Sequence, residues 1–195
     1  MIVPCPICEH ATTCTLVTVK DRDLMICKEC RHVFWRKMPS ESELSSYYST
    51  KYTTAYNQIT TQNDNASYYC GHVDELAAFA VLPKEKLRIA DIGCSYPIFL
   101  EQARSAGAEL CIGVDWSLEA KDYGLSRGIL MLTPDEFMER VPDGTINVLR
   151  YSHTLEHVID PVGVLSLHLQ KLAFGGVLYI TQPNIPVLQF SSSTA

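Results

Sequence analysis

The alternation of apolar and polar positions divides the chain into three stretches. Residues 1 to about 36 carry two short β-like runs, 15–19 (TLVTV) and 23–27 (DLMIC), with the polar Lys20-Asp21-Arg22 between them, which predicts a hairpin. Residues 38–75 lose periodicity. They are rich in Ser, Thr and Tyr, and their one helical start is Pro39-Ser40-Glu41 leading into Leu44, so the stretch reads as a connector. From Val73 onward amphipathic segments alternate with short apolar runs. They predict helices at 73–82, 97–106, 117–127, 134–140 and 160–173, and strands at 87–92, 109–114, 129–132, 145–151 and 176–182. Strands separated by helices of this length specify an α/β fold with a parallel sheet and crossover helices on both faces. No internal repeat is visible, and the terminal SSSTA reads as a frayed end.

Composition limits what this pattern can build. With 195 residues, 47% of them hydrophobic, the chain suffices for one α/β domain and a small appendage. The division expected is 1–36 as a metal-binding ribbon, 37–75 as a Tyr-rich connector and 76–195 as a nucleotide-binding domain. Six tyrosines in the connector (Tyr47, Tyr48, Tyr52, Tyr56, Tyr68 and Tyr69) offer apolar faces with polar tips; they either pack the segment onto the next domain or line a substrate pocket. Net charge is −6 and the 16 Lys and Arg are dispersed, so nucleic acid is a poor fit as partner. The start MIVPCPICEH lacks a basic flank and an apolar run, and no apolar run reaches the roughly 18 to 20 residues that span a bilayer. A soluble, cytoplasmic protein with no membrane partner is expected.

Four of the eight cysteines form two C-x-x-C pairs, Cys5 with Cys8 and Cys27 with Cys30, and 18 residues separate the pairs. This is the spacing of a four-cysteine zinc ribbon. Each C-x-x-C turn presents two sulfurs to one side of an ion, and the hairpin brings the second pair round to face the first. His10, Cys14 and His32 lie nearby, but four thiolates close the shell, so the Zn2+ expected here is structural. So short a segment cannot build a sufficient core, and the metal supplies the missing folding energy. Cys14, Cys70, Cys94 and Cys111 are scattered and read as small buried hydrophobes.

A second site is suggested at 87–100 (LRIADIGCSYPIFL), an apolar strand followed by a turn of small residues and a helix. Asp91, Gly93, Cys94 and Ser95 lie where a ligand approaches the backbone closely, and Pro97 suits the first helical position. Asp115 follows Gly93 by 22 residues at the end of the second strand, where a carboxylate accepts hydrogen bonds from the ribose of an adenosine-type cofactor. Trp116 is placed to stack on or border the adenine.

These residues, together with 151–161 (YSHTLEHVIDP), resemble the motifs of class I S-adenosylmethionine-dependent methyltransferases. With the cysteine ribbon and the Tyr-rich connector, the chain is most similar to the subgroup with an N-terminal zinc-binding module, which includes deoxysugar C-methyltransferases. The resemblance covers nearly the whole chain. It implies a Rossmann-like, doubly wound sheet of about five strands and S-adenosylmethionine as cofactor, with Gly93, Cys94 and Ser95 under its methionine end and Asp115 on its ribose. Tyr151, Ser152 and His153 would line it near the methyl group. The family's turn commonly reads G-x-G-x-G; here Ser95 and Pro97 stand at the second and third glycines. Family members also continue past the fifth strand into an antiparallel hairpin, so a shortened chain, or a last strand covered by a second copy or another partner, is expected.

Methyl transfer needs alignment in a desolvated pocket, and a base only where the acceptor loses a proton. His153, Glu156 and His157 follow the fourth strand at the ligand-binding edge of the sheet, and His153, nearest the strand, is the first choice as base. Leu155-Glu156-His157 reads as the opening of the next helical segment, where such residues more often hold the loop through hydrogen bonds to backbone than act as a base, and His72 and His168 read as ordinary helix residues. The function expected is methyl transfer to a small-molecule acceptor, such as a nucleotide-linked sugar. Alternatives are a non-catalytic scaffold of the same fold and a subunit acting on RNA or protein through its ribbon. A nicotinamide dehydrogenase fits less well, because the third glycine of G-x-G-x-x-G falls on Ile98.

Overall fold

The structure is a computed structural model, and it describes residues 3–40, 42–44 and 66–183. The chain divides into two compact units, Met1–Asn63 with Val158–His168, and Asp64–His157 with Leu169–Ala195. Residues 45–65 of the connector and all six of its tyrosine side chains lie outside the described residues, and its last ten residues, 66–75, belong to a helix that begins earlier than the 73–82 expected.

The first unit contains the predicted hairpin, β1 (Thr13–Val19) with β2 (Arg22–Cys27), and a third strand that periodicity missed, β3 (Val33–Trp35), in the antiparallel order β1-β2-β3. Three residues are too short a run to show an alternation. Lys20 and Asp21 turn the hairpin, both at positive φ, as a tight two-residue loop requires. Asp23 accepts from Thr18 Oγ1 and from the Arg36 guanidinium, both at 2.7 Å. Met25, Phe34, Cys5 and Cys27 form the small core. The expected helical start after Pro39 is present: Ser40 and Glu43 bond each other's backbone N–H groups in a capping box, and residues 42–44 are helical.

In the second unit a helix, α1 (Ala66–Ala80), precedes β4 (Arg88–Ile92), α2 (Ile98–Ser105), β5 (Leu110–Val114), α3 (Leu118–Ser126), β6 (Leu130–Leu132), α4 (Pro134–Arg140) and β7 (Ile146–Ser152). The chain then passes through α5 (Pro161–His168), which groups with the first unit, and returns as β8 (Leu172–Thr181). The five strands are parallel in the order β6-β5-β4-β7-β8. This is the Rossmann-like sheet with flanking helices that the sequence predicts.

Thr133 and Glu136 start α4 with a capping box and Pro134 in its first turn, which explains why that boundary was legible. The final helix and strand depart from expectation. The helix expected at 160–173 ends at His168, a 3₁₀ turn (Leu169–Lys171) follows, and β8 begins at Leu172, because Leu172 pairs with Ile146 before a register shift carries the strand to Val177.

The core of this unit is built from Val73 and Leu76 of α1, Leu87 and Ile89, Phe99, Leu100 and Ala103 of α2, and Met131 and Val148. Buried Asn147 clamps the start of β4, accepting from Arg88 N (2.8 Å) and donating to Lys86 O (2.7 Å). Among the described residues no helix is long and apolar enough to cross a membrane.

Candidate functional site

The strand order reverses between β4 and β7: the chain leaves β4 toward β5 and β6 on one side, then crosses to β7 and β8 on the other. In open α/β sheets the crevice at the carboxyl ends of two such strands is where ligands bind. The loop after β4 and the loop after β7 meet there.

The loop after β4 is held by its own backbone. Gly93 and Cys94 both donate to the Val114 carbonyl, at 2.7 and 3.3 Å. Gly93 has φ +68, and a Cβ on it would overlap the Thr154 side chain, so only glycine fits. Ser95, at the second glycine position of the motif, adopts φ +48, the left-handed conformation a glycine would take. Pro97, at the third, is buried, and its ring lies 3.0 Å from where a Cβ on Gly124 of α3 would sit. Ser95 therefore keeps the glycine-type conformation, whereas Pro97, at φ −80, is the cap residue before α2 rather than its first helical residue.

Asp115 stands at the end of β5 with both carboxylate oxygens engaged: Oδ2 accepts from Ser95 N at 2.7 Å and Oδ1 from Ser117 N at 2.9 Å. Burial raises its pKa, and the amides of Ser117, Ser95 and Trp116 oppose the rise. Each oxygen retains a second lone pair, so ribose hydroxyls remain within its capacity. Trp116 is 65% exposed and offers a flat apolar face beside it. Cys94 is held as a neutral thiol, pushed well above its ordinary pKa by burial and then by Asp91 and Asp115.

Two residues expected to touch the cofactor do not present their side chains to it. Asp91 is 2% exposed, and Nη1 of Arg150 donates to both its oxygens at 2.8 Å. Register explains the pair, because Asp91 and Arg150 are direct partners across β4 and β7. The Asp91 side chain thus ties β4 to β7. Tyr151 is fully buried, so its phenol cannot line an open cleft, and burial raises its pKa. Ser152 is half-buried and accepts from Thr181 Oγ1 at 3.2 Å.

Arg150 was missed by the sequence reading. A lone cation inside an apolar parallel strand demands a buried acid, and that signal was available. The guanidinium also lies 4.3 Å over the Phe99 ring of α2.

The loop after β7 carries the three base candidates. His153 is exposed, at φ +54, with its N–H donated to Thr181 O at 2.9 Å. Its Nδ1 lies 3.7 Å from Glu156 Oε1, within ion-pair reach but beyond a hydrogen bond. Glu156 and His157 belong to a separate 3₁₀ turn (Leu155–His157) rather than opening the following helix. A second non-glycine residue in the left-handed region beside the same crevice marks a constrained site.

In the first unit the Sγ atoms of Cys5, Cys8, Cys27 and Cys30 all lie within 4.8 Å of one another. Closer pairs are Cys8 with Cys30 at 3.4 Å, and Cys5 with Cys30 and Cys8 with Cys27 at 3.6 Å. A tetrahedral ion with Zn–S near 2.3 Å places sulfurs about 3.8 Å apart, so the four donors fit one zinc.

The two pairs also form a repeat that the sequence reading did not see, CPICEH and CKECRH, each C-x-x-C-x-H. In both, the fifth residue has positive φ (Glu9 +60, Arg31 +65) and donates to the first cysteine's carbonyl, at 2.9 and 3.0 Å. In both, that cysteine's N–H donates to the histidine carbonyl at 2.9 Å. The histidines close the turns through their backbones. Cys27 has its thiol lowered to about 7, chiefly by the Cys30 backbone N–H.

Among solved structures, the chain is similar to a magnesium protoporphyrin IX methyltransferase from Synechocystis PCC 6803 with bound SAH: 18% identity over 69% of this chain and 68% of that one, TM-score 0.53. A plantazolicin methyltransferase in complex with SAH matches at 16% identity, over 67% of this chain and 52% of that one, TM-score 0.50. An S-adenosylmethionine-dependent methyltransferase from Mesorhizobium loti matches at 25% identity over 51% and 48%, TM-score 0.42. The chain spans about half the length of the Mesorhizobium loti enzyme and of the similar one from Archaeoglobus fulgidus. No curated protein sequence matches it. A methyltransferase-domain family matches residues 62–192, about two thirds of the chain, and the chain belongs to that family.

Proposed function

We propose that the chain performs S-adenosylmethionine-dependent methyl transfer to a small-molecule acceptor, with a nucleotide-linked sugar as the acceptor class that the sequence resemblance favours. The observation that carries this reading is the crevice at the strand-order reversal. On one side it has a glycine-type turn whose Ser95 amide is tied to Asp115, and on the other the exposed His153.

When bound, the cofactor supplies an electrophilic methyl group on a sulfonium. The chain's part is positioning. Gly93 to Ser95 leave room for the methionine end beside the main chain, and Asp115, oriented by two amides, accepts the ribose hydroxyls. Trp116 covers the base. Where the acceptor must lose a proton, His153 takes it at a ring nitrogen, with the Glu156 carboxylate near enough to stabilise the imidazolium.

Cys5, Cys8, Cys27 and Cys30 hold one structural zinc in the same reading, and the closed shell leaves that ion no catalytic position.

Titration calorimetry with S-adenosylmethionine and S-adenosylhomocysteine tests the cofactor assignment. Saturable binding of at least one is expected. Absence of heat from both at millimolar concentration overturns it.

A further inference from the structure

Resting on the cofactor reading above, we propose that Thr154 is a positioning residue: it staples the turn that receives the cofactor to the loop that carries His153 and Glu156. Its Oγ1 donates to the carbonyl of Ile92, the last residue of β4, at 2.9 Å; the Ser152 carbonyl lies farther, at 3.2 Å. The shorter contact reaches the end of β4 and the longer one the end of β7, the strand that Thr154 follows. The same side chain occupies the space that a Cβ on Gly93 would need, with its Oγ1 2.7 Å from that point.

One side chain thus makes a directional contact with the last residue of β4 and a steric contact with Gly93, the first residue of the cofactor turn. Val114 already fixes that turn toward β5 through the Gly93 and Cys94 amides, so Thr154 fixes it from the β7 side. His153 precedes Thr154 directly and is bonded to Thr181 of β8. A movement at Thr154 therefore changes the separation between the cofactor turn and the candidate base. Misplacement by about an ångström is enough to cost a large factor in rate for an aligned displacement.

Thr154→Val keeps the shape and removes the hydroxyl; Thr154→Ser keeps the hydroxyl and removes the methyl. In each variant, hydrogen exchange of the Gly93 and Cys94 amides is followed together with that of Ile112 within β5, and S-adenosylhomocysteine affinity is measured by calorimetry. Urea unfolding midpoints confirm that each protein is folded, with Thr154→Ala as the hydroxyl-free replacement if the Val variant does not fold. Loss of the hydroxyl is expected to speed exchange at Gly93 and Cys94 by about five- to tenfold and to weaken S-adenosylhomocysteine by a similar factor, with Ile112 unchanged. The Ser variant should stay within about twofold of the parent in both. Unchanged exchange and affinity in the Val variant, or equal losses in Val and Ser, would overturn the assignment. If the parent chain binds no S-adenosylhomocysteine, the cofactor reading fails, while the exchange comparison, which needs no ligand, still decides the role of Thr154.

Discussion

The Ser95 amide donates to Asp115 Oδ2 at 2.7 Å, so the carboxylate at the end of β5 holds the turn after β4 in shape, beside the ribose-binding role proposed for it. Asp115→Ala removes both roles at once and leaves the Ser95 and Ser117 amides without their acceptor. S-adenosylhomocysteine affinity should fall by at least about tenfold, since hydrogen bonds to a charged group are worth about 1.5–3 kcal/mol. Asp115→Asn, which keeps one acceptor oxygen, should lose less. Calorimetry of the three proteins checks the order, and an Ala variant that binds like the parent would remove Asp115 from the site.

Ser95 sits at φ +48, where a Cβ is strained and glycine is not. Ser95→Gly relieves a left-handed penalty of about 1–2 kcal/mol and adds about 0.4–1 kcal/mol of unfolded-state entropy. A net gain of about 0.5–1 kcal/mol is expected as a higher urea midpoint. Ser95→Val, β-branched at the same φ, should lower it.

The buried pair Asp91–Arg150 sets a third test. Arg150→Met leaves a carboxylate buried without its partner and should cost about 3–5 kcal/mol, read from chemical unfolding at pH 7. The pH dependence has a defined sign. Asp91 already has a raised pKa, because burial outweighs the attraction of Arg150, and loss of the guanidinium raises it further. In the pH range between the unfolded and folded values the native state binds the extra proton, so stability falls as pH rises through that window. The Met variant should therefore recover part of its loss when pH is lowered from 7 toward 5. A variant that weakens monotonically on acidification would contradict this account.

Metal removal should act on the first unit. Chelation at neutral pH is expected to release one zinc per chain, expose four titratable thiols and abolish the β1-β2-β3 signal in hydrogen exchange, because a core of four buried residues, two of them the cysteines Cys5 and Cys27, cannot replace the ion's folding energy. Cys27→Ser should give the same outcome by substitution. Metal content well below one ion per chain in freshly purified protein would sink the zinc assignment.

Much of the fold was legible because local rules and tertiary demands agree. The helix over 134–140 was read correctly because Thr133, Pro134 and Glu136 encode a capping box. The strand expected at 87–92 was readable because a parallel strand buried on both faces is a continuous apolar run. Where burial and pairing compete with pattern, reading failed. The boundary between the last helix and β8 shifted because Leu172 finds a partner in Ile146, which no window of sequence can reveal. The β3 strand was too short to show its period.

The chain's residues alone determined the two chemistries it can host. Two C-x-x-C pairs predict the four-cysteine cluster that the fold assembles, and a glycine turn followed 22 residues later by an acid predicts a turn and a carboxylate that meet at the end of the sheet, because spacing and donor type are local properties. Only the tertiary structure decided which groups are free to serve. Asp91 faces Arg150 and Tyr151 points into the core, so neither side chain reaches a ligand, while Thr154, an ordinary residue in sequence, bridges to the end of β4. The reason is that strand register fixes which residues meet across the sheet, and register is set by the whole core rather than by any single segment.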